Sequence, residues 1–400
     1  MITKQKLYNC IFGAILAIFF VVLIFVANTL SISYDEALNV LVNKSVLSYI
    51  TKTTTYIFGN NDISIRLPFI LLYVFSVILI YLLTKDYFKK EIDRLISVLI
   101  FMFLPGVVSA SLLINSSIVV IFCTLSYLYY YKLYSKHNYY LLGFFLFVDN
   151  SFAILFLALF FYSLNKKENR LLIISLALFG LSMYIYGFDS TGKPRSYLLD
   201  TFGIYASIFS PLIFLYFFYS LYRVGIKGTR SIYWYISTTA MVFSLLLSFR
   251  QKVYIEDFAP YVVIAIPIML KLFMHSLRVR LPEFRKTHYN IVKVTLFLLF
   301  VNTFLLIYNK PIYLFLNNPQ KHFAYDYHFA KEVADILKKN NINNVKIYDK
   351  KLQKRLEFYG IKKGEDYLVS LYNPANYDYK FTINYFEKEL LDIYVYKIEK

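Results

Sequence analysis

The sequence predicts a polytopic α-helical membrane protein carrying a small C-terminal α/β soluble domain, and three observations predict it. Of the 400 residues, 58% are hydrophobic and 17% charged, against roughly 45–50% and about 25% in soluble domains. Apolar runs near the ~20 residues that a ~30 Å bilayer core requires recur from residue 10 to residue 308. Beyond that point the runs stop, and short helical and strand periodicities take over. Twelve glycines and ten prolines are too few for a collagenous or Pro/Gly-rich disordered chain. The two cysteines, Cys10 and Cys123, sit inside apolar runs and offer neither a disulfide framework nor zinc-type spacing.

The first span is read at 10–27. Lys4 and Lys6 precede it as in a signal peptide, but it is too long for a signal core and Asn28-Thr29-Leu30 offers no small-x-small cleavage site, so the span is expected to be retained. Further spans are expected at 67–84, 95–113 with a bend at Pro105, 116–134, 171–187, 209–222, 231–249, 259–275 and 291–308, making nine full crossings. The stretch 139–164 has basic residues on both flanks and Asp149-Asn150-Ser151 in its middle. It is read as a re-entrant hairpin, because both ends then stay on one side and the polar tip is buried in protein; a single full span is the alternative.

Lys and Arg counts favour the hairpin, since short cytoplasmic loops carry the excess. With it, 20 of the 43 fall in cytoplasmic segments (the N-terminus, 85–94, 132–138, 165–170, 223–230 and 271–293), seven in outer loops, and 16 in the tail. The expected organisation is a membrane domain, 1–308, with outer loops 31–66 and 187–209, and an extracytoplasmic α/β domain, 309–400. The net charge of +18 is then orientation plus a basic tail, scattered through loops and not gathered on a nucleic-acid-binding face.

In the tail, Phe329, Val333, Ile336 and Leu337 have helical spacing over 329–340. A strand is expected at 344–348, a helix at 352–359, a strand at 367–371 and a last strand at 391–398. The spans show no internal repeat, which argues against an inverted-repeat transporter.

Acidic residues beside a membrane core are costly and so carry information. Asp35 and Glu36 stand just past the first span in Ser33-Tyr34-Asp35-Glu36-Ala37, with Ser33 suited to cap a helix. The same loop ends in Phe58-Gly59-Asn60-Asn61-Asp62-Ile63-Ser64-Ile65-Arg66-Leu67-Pro68 before an apolar span. The outer loops hold seven cations in all: Lys44, Lys52, Arg66, Lys193, Arg195, Arg250 and Lys252. Positive charge on the translocated side runs against the insertion bias, which marks those near span ends as phosphate ligands or as headgroup-seeking side chains. For Arg66 the alternative is a structural pair with Asp62.

This pattern resembles glycosyltransferase family 39 of the membrane-embedded (GT-C) transferases, the group of protein O-mannosyltransferases and lipid A aminoarabinose transferases. The likeness rests on the Asp-Glu outside the first span, the Phe-Gly and Ser-x-Arg-Leu-Pro elements before the second, and the outer turn from Pro105 to Asn115. The hairpin around Asp149, the segment from Arg250-Gln251-Lys252 to Pro260 and Pro267, and Leu356, Phe358 and Tyr359 in the tail extend it over nearly the whole chain.

The resemblance implies a GT-C-like fold and transfer of a sugar from a polyprenyl-phosphate carrier to a lipid, glycan or protein acceptor on the outer face of the inner membrane, with inversion. Asp35 matches the family's catalytic acid and is expected as general base, with Glu36 orienting the acceptor or a cation. Lys52, Arg66, Lys193, Arg195, Arg250 and Lys252 are the expected donor-phosphate ligands. Two departures stand out. Asn115 occupies a place where many relatives have a second acid, so it offers polar support to a substrate hydroxyl but no charge, which argues against a mechanism needing two acids or a tightly held metal. Lys44-Ser45-Val46-Leu47-Ser48-Tyr49 replaces a Pro-Pro-Leu-Tyr type segment. A divalent cation stays an option, although the five histidines are dispersed. A lipid or polysaccharide transporter or flippase is the alternative function, and a scaffold presenting the tail domain a third.

Overall fold

The structure is a computed structural model that describes residues 2–187, 193–372, 377–386 and 388–398. Helices dominate it, with one small sheet near the C-terminus. Two compact units interleave in sequence. One takes 1–20, 69–111 and 115–303; the other takes 21–68, 112–114 and 304–400, so the tail shares its unit with the whole Asp35–Arg66 region.

Among the described residues, Gln5–Thr29, Asp62–Leu83, Asn169–Tyr186 and Pro282–Ile307 are each long and apolar enough to cross a membrane, and seven segments qualify when each bent pair counts as one. The nine crossings expected are therefore not carried by nine such helices. Ile232–Ser248 is 17 residues long, and Ser117–Tyr134 has five tyrosines and Lys132 in its C-terminal half.

The break at Pro105 falls where the sequence places it, with a bend of 54° between Glu91–Met102 and Pro105–Leu112, as a residue without an N–H demands. Two other expectations change. The span expected at 209–222 is the second arm of a pair, Leu198–Phe209 and Pro211–Lys227, bent by 106° at Ser210, whose φ of 70° lies in the left-handed region. The outer loop 187–209 thus contains a helix, and the part of it from 188 to 192, Gly192 included, lies outside the described residues. The second span begins at Asp62, five residues earlier than expected, which carries Asp62 and Arg66 into a helix.

The stretch 139–164 turns back on itself. Tyr139–Phe145 and Phe152–Lys166 are joined by a turn in which the Ser151 N–H donates to Asp149 Oδ1 at 3.0 Å. The two ends meet: His137 Nε2 lies 3.1 Å from Glu168 Oε2 and the Arg170 guanidinium lies over the Tyr139 ring at 4.8 Å. A hairpin, not a through-going rod, follows from that closure.

Within this unit the loops sort into two sets. Tyr87, Lys89 and Asp93 line one cleft with Thr229, Lys271 and Arg278, and Lys132 pairs with Asp86 at 2.7 Å; all come from segments that the charge count groups together. At a different set of loops, the Tyr197 N–H donates to Ser248 O at 2.7 Å and Ser117 Oγ to Glu256 O at 3.1 Å.

The second unit ends in a five-stranded sheet of β1 (Asn344–Ile347), β2 (Lys362–Lys363), β3 (Tyr367–Ser370), β4 (Tyr379–Tyr385) and β5 (Lys388–Lys397), ordered β2-β1-β3-β5-β4. β1 runs parallel to β2 and β3, while β5 pairs antiparallel with β3 and β4. Helices Ala330–Lys339 and Lys350–Phe358 bury Val333, Leu337 and Leu356 against Val345, Val369, Ile393 and Val395. Every tail element expected from the sequence is present, and β2 and β4 are additional.

Beside this core, His328 is 1% exposed and its Nδ1 bonds the Tyr313 hydroxyl at 2.9 Å. Burial, helped by Lys310, His322 and Arg355, holds the imidazole down at about 3, against an ordinary 6.5. Between those two values the unfolded chain binds a proton that the folded chain refuses, so stability is full above ~6.5 and falls as pH drops toward ~3. The exchange protection factors over 330–339 in the full chain, which divide out the intrinsic pH dependence of amide exchange, are expected to fall on acidification from pH 7 to 4, and less so in His328→Asn; protection factors independent of pH would contradict the assignment.

Candidate active site

Asp35 and Glu36 open the helix Tyr34–Leu41, and the structure gives them opposite fates. Successive residues on a helix point about 100° apart, so one of an adjacent pair faces inward when the other faces out. Glu36 is 2% exposed, whereas Asp35 is exposed and its side chain has no hydrogen bond or ion pair among the described residues.

Glu36 is fully engaged. Its Oε2 accepts from the Ser33 N–H at 3.0 Å while Ser33 Oγ accepts from the Glu36 N–H at 3.3 Å, the reciprocal capping box of the helix. The same Oε2 accepts from Arg66 Nη2 at 3.0 Å, and Oε1 accepts from the Ile114 N–H at 3.0 Å. Of the acceptor or cation that Glu36 is expected to orient, the structure gives it a protein cation, the buried Arg66 guanidinium.

Arg66 is likewise committed. It is 0% exposed, and its Nε donates to Leu112 O at 2.9 Å, its Nη1 to Leu30 O at 2.9 Å with Ala27 O and Asp62 O at 3.3 Å, and its Nη2 to Ser31 O at 2.9 Å and to Glu36. All five N–H bonds are used. Ala27 and Leu112 lie at the C-terminal ends of two helices, Ile2–Thr29 and Pro105–Leu112, whose last carbonyls have no partner within the helix and favour a cation. Arg66 gathers these ends and the capped helix around one guanidinium, leaving no donor for a phosphate. The phosphate role expected for it is therefore replaced by a structural one, and Asp62 is a secondary partner at 3.7 Å.

Asp62, 2% exposed, has closer partners. Lys331 Nζ lies 2.9 Å from its Oδ2, and the Tyr359 hydroxyl donates to its Oδ1 at 2.5 Å. Tyr359 also accepts from the Ile32 N–H at 2.9 Å, and Arg355 Nε donates to Ile32 O at 2.7 Å. Burial and the Asp62 carboxylate push the Tyr359 phenol up, so it remains an O–H donor. None of these tail residues was assigned a role from the sequence. Tyr359 figures there only in a point of likeness, and the local signals of the network are the four-residue spacing of Asp62 and Arg66 and the Ser33-x-x-Glu36 cap.

Lys52 stands exposed on Val46–Phe58, donating to Asn43 O at 3.1 Å. The remaining expected residues belong to the other unit, each at its second set of loops. Asn115 Oδ1 accepts from the Ser117 N–H at 3.2 Å at the start of Ser117–Tyr134. Lys193 and Arg195 are exposed, with the Arg195 guanidinium over the Tyr197 ring at 4.7 Å. Arg250 is exposed. Lys252 lines a cleft whose polar wall is Asn150, Ser151, Gln251 and Asp257, and whose apolar wall includes Leu157, Phe179, Met183 and Leu247. The hairpin tip thus meets the Arg250–Asp257 loop. Among the described residues no group of three or more His, Cys, Asp or Glu is placed to hold a metal ion, and no step below is routed through one.

A family profile described as dolichyl-phosphate-mannose-protein mannosyltransferase matches residues 45–148, about a quarter of the chain, taking in Lys52, Arg66 and Asn115. No curated protein matches by sequence. Among solved structures, ArnT from Cupriavidus metallidurans in the apo state is similar at 10% identity and a TM-score of 0.56, over 98% of this chain and 98% of that one. The profile match and the shared fold bear out the GT-C resemblance.

Proposed function

We propose that the protein transfers a sugar from a polyprenyl-phosphate carrier to a hydroxyl-bearing acceptor at the outer membrane face, with Asp35 as the general base. The observation that carries this reading is the division of labour in the Asp-Glu pair on a GT-C fold. Glu36 is consumed by the scaffold, and of the two Asp35 is the one left as an accessible carboxylate. As the acceptor oxygen attacks the anomeric carbon, Asp35 takes its proton. The bond between that carbon and the carrier phosphate breaks, its electron pair leaves with the phosphate, and the configuration inverts.

The departing phosphate gains negative charge and needs cations. Lys252 is favoured for this, because it stands where a polar wall meets an apolar one, and the donor is itself a charged head on a hydrocarbon chain. Arg250, Lys193 and Arg195 supply further positive charge at the same loops, and their exposure leaves them open to an anionic ligand. The reading places these loops and the tail domain outside the inner membrane, as the Lys and Arg bias requires.

The test is transfer of labelled sugar by the full chain in nanodiscs supplied with a polyprenyl-phosphate hexose or pentose. Release of polyprenyl phosphate coupled to labelled acceptor supports the reading; intact donor moved between leaflets with no new glycosidic bond would favour the flippase. Lys252→Ala is expected to raise KM for the donor about tenfold or more, the worth of one charge-assisted hydrogen bond. A KM unchanged for donor would remove Lys252 from the site.

A further inference from the structure

We propose that Tyr359 is a positioning residue for Asp35, fixing from the tail the backbone on which the base is mounted. The inference rests on the reading of Asp35 as general base and adds to it a part of the chain that lies more than 300 residues away in sequence.

Tyr34–Leu41 is only eight residues long, well short of the ~12–15 that a helix needs to persist by itself in water. Its orientation must come from outside. The three residues before it supply that orientation, and the tail holds two of them by their backbone. The Ser31 N–H donates to Tyr327 O at 2.9 Å, Ser31 Oγ accepts from the Lys331 N–H at 3.3 Å, and Ile32 is held on both sides, its N–H by the Tyr359 hydroxyl and its C=O by Arg355. Arg355 is anchored in turn on His328 O at 2.6 Å. Ser33 follows and caps the helix.

Tyr359 is the joint of this arrangement, because one oxygen both accepts from Ile32 and donates to Asp62, which neighbours the Arg66 hub. The phenol spends its oxygen on Ile32 and Asp62, so its influence on a reacting group runs through Ile32, Ser33 and the helix. A base displaced by about 1 Å loses on the order of 10²-fold in rate, which is the scale on which such a joint acts.

The experiment compares Tyr359→Phe, Asp35→Asn and the exposed control Tyr348→Phe in full-length protein in nanodiscs. Phenylalanine keeps the ring and removes only the oxygen. The expected result for Tyr359→Phe is a kcat lower by about 10- to 100-fold, a donor KM close to wild type, and faster amide exchange confined to residues 31–36. Tyr348→Phe should match wild type. A wild-type kcat in Tyr359→Phe beside an inactive Asp35→Asn overturns the positioning role and leaves the base standing. Faster exchange throughout the tail sheet in Tyr359→Phe assigns it to fold maintenance and also overturns the proposal. Full activity in Asp35→Asn removes the base itself.

Discussion

Asp35→Asn is expected to lower sugar transfer by about 10²- to 10⁴-fold, the range that positioned proton transfer supplies, while leaving the fold intact. Each tenfold step corresponds to about 1.36 kcal/mol of barrier, so the loss is on the order of 3–5 kcal/mol in the transition state. The substitution keeps the shape of the side chain and removes its capacity to take a proton. Because Asp35 is exposed and without partners among the described residues, stability should change by no more than about 0.5 kcal/mol.

Glu36→Gln, one residue on, should behave in the opposite way, weakening the fold by unpairing Arg66 before it touches the rate. Measuring turnover and thermal midpoint for both variants separates them. A transferase yields one rate-deficient and one stability-deficient protein. Wild-type turnover in Asp35→Asn, with donor still flipped or the tail still presented, would support the transporter or the scaffold instead.

Arg66→Ala is expected to be the most destabilising single change in the second unit. It would leave the Glu36 carboxylate buried without its cation and uncap the carbonyls of Ala27, Leu30, Ser31 and Leu112. Breaking a buried pair by removing one partner costs about 3–5 kcal/mol, mostly through the charge left behind. Arg66→Lys should recover little, since a single ammonium offers three donors from one point and cannot reach carbonyls spread around a planar fork.

The double substitution Arg66→Met with Glu36→Gln should be milder than the sum of its parts, because it removes the orphaned charge together with its partner. Thermal midpoints in detergent and expression level provide the measurement. A normal midpoint in Arg66→Lys, or a loss confined to donor KM with no change in stability, would restore Arg66 to the phosphate site that the sequence suggests for it.

The treatment of Glu36 shows what sequence pattern holds and what it omits. Ser33-x-x-Glu36 is a capping box, readable from spacing alone, yet the adjacency of Asp35 and Glu36 invites a paired functional reading. The pattern fixes that one faces in; it does not fix that Arg66, thirty residues on, is waiting there. Strand β4 is a parallel case. Tyr379, Phe381, Ile383 and Tyr385 alternate with polar residues, but the alternation is meaningful only once β5 lies beside it, pairing Phe381 with Ile393.

By itself the sequence determined the membrane-protein class, the break at Pro105, the hairpin, most tail elements and the positions of the exposed charges, because hydropathy, proline and helical spacing act over one or two turns of chain. The tertiary structure decided which of two neighbouring carboxylates is buried, what saturates Arg66, and that Tyr359 and Arg355 hold Ile32. Those outcomes depend on groups brought together from 30 to more than 300 residues apart, where a buried charge settles only beside the partner that the fold delivers to it.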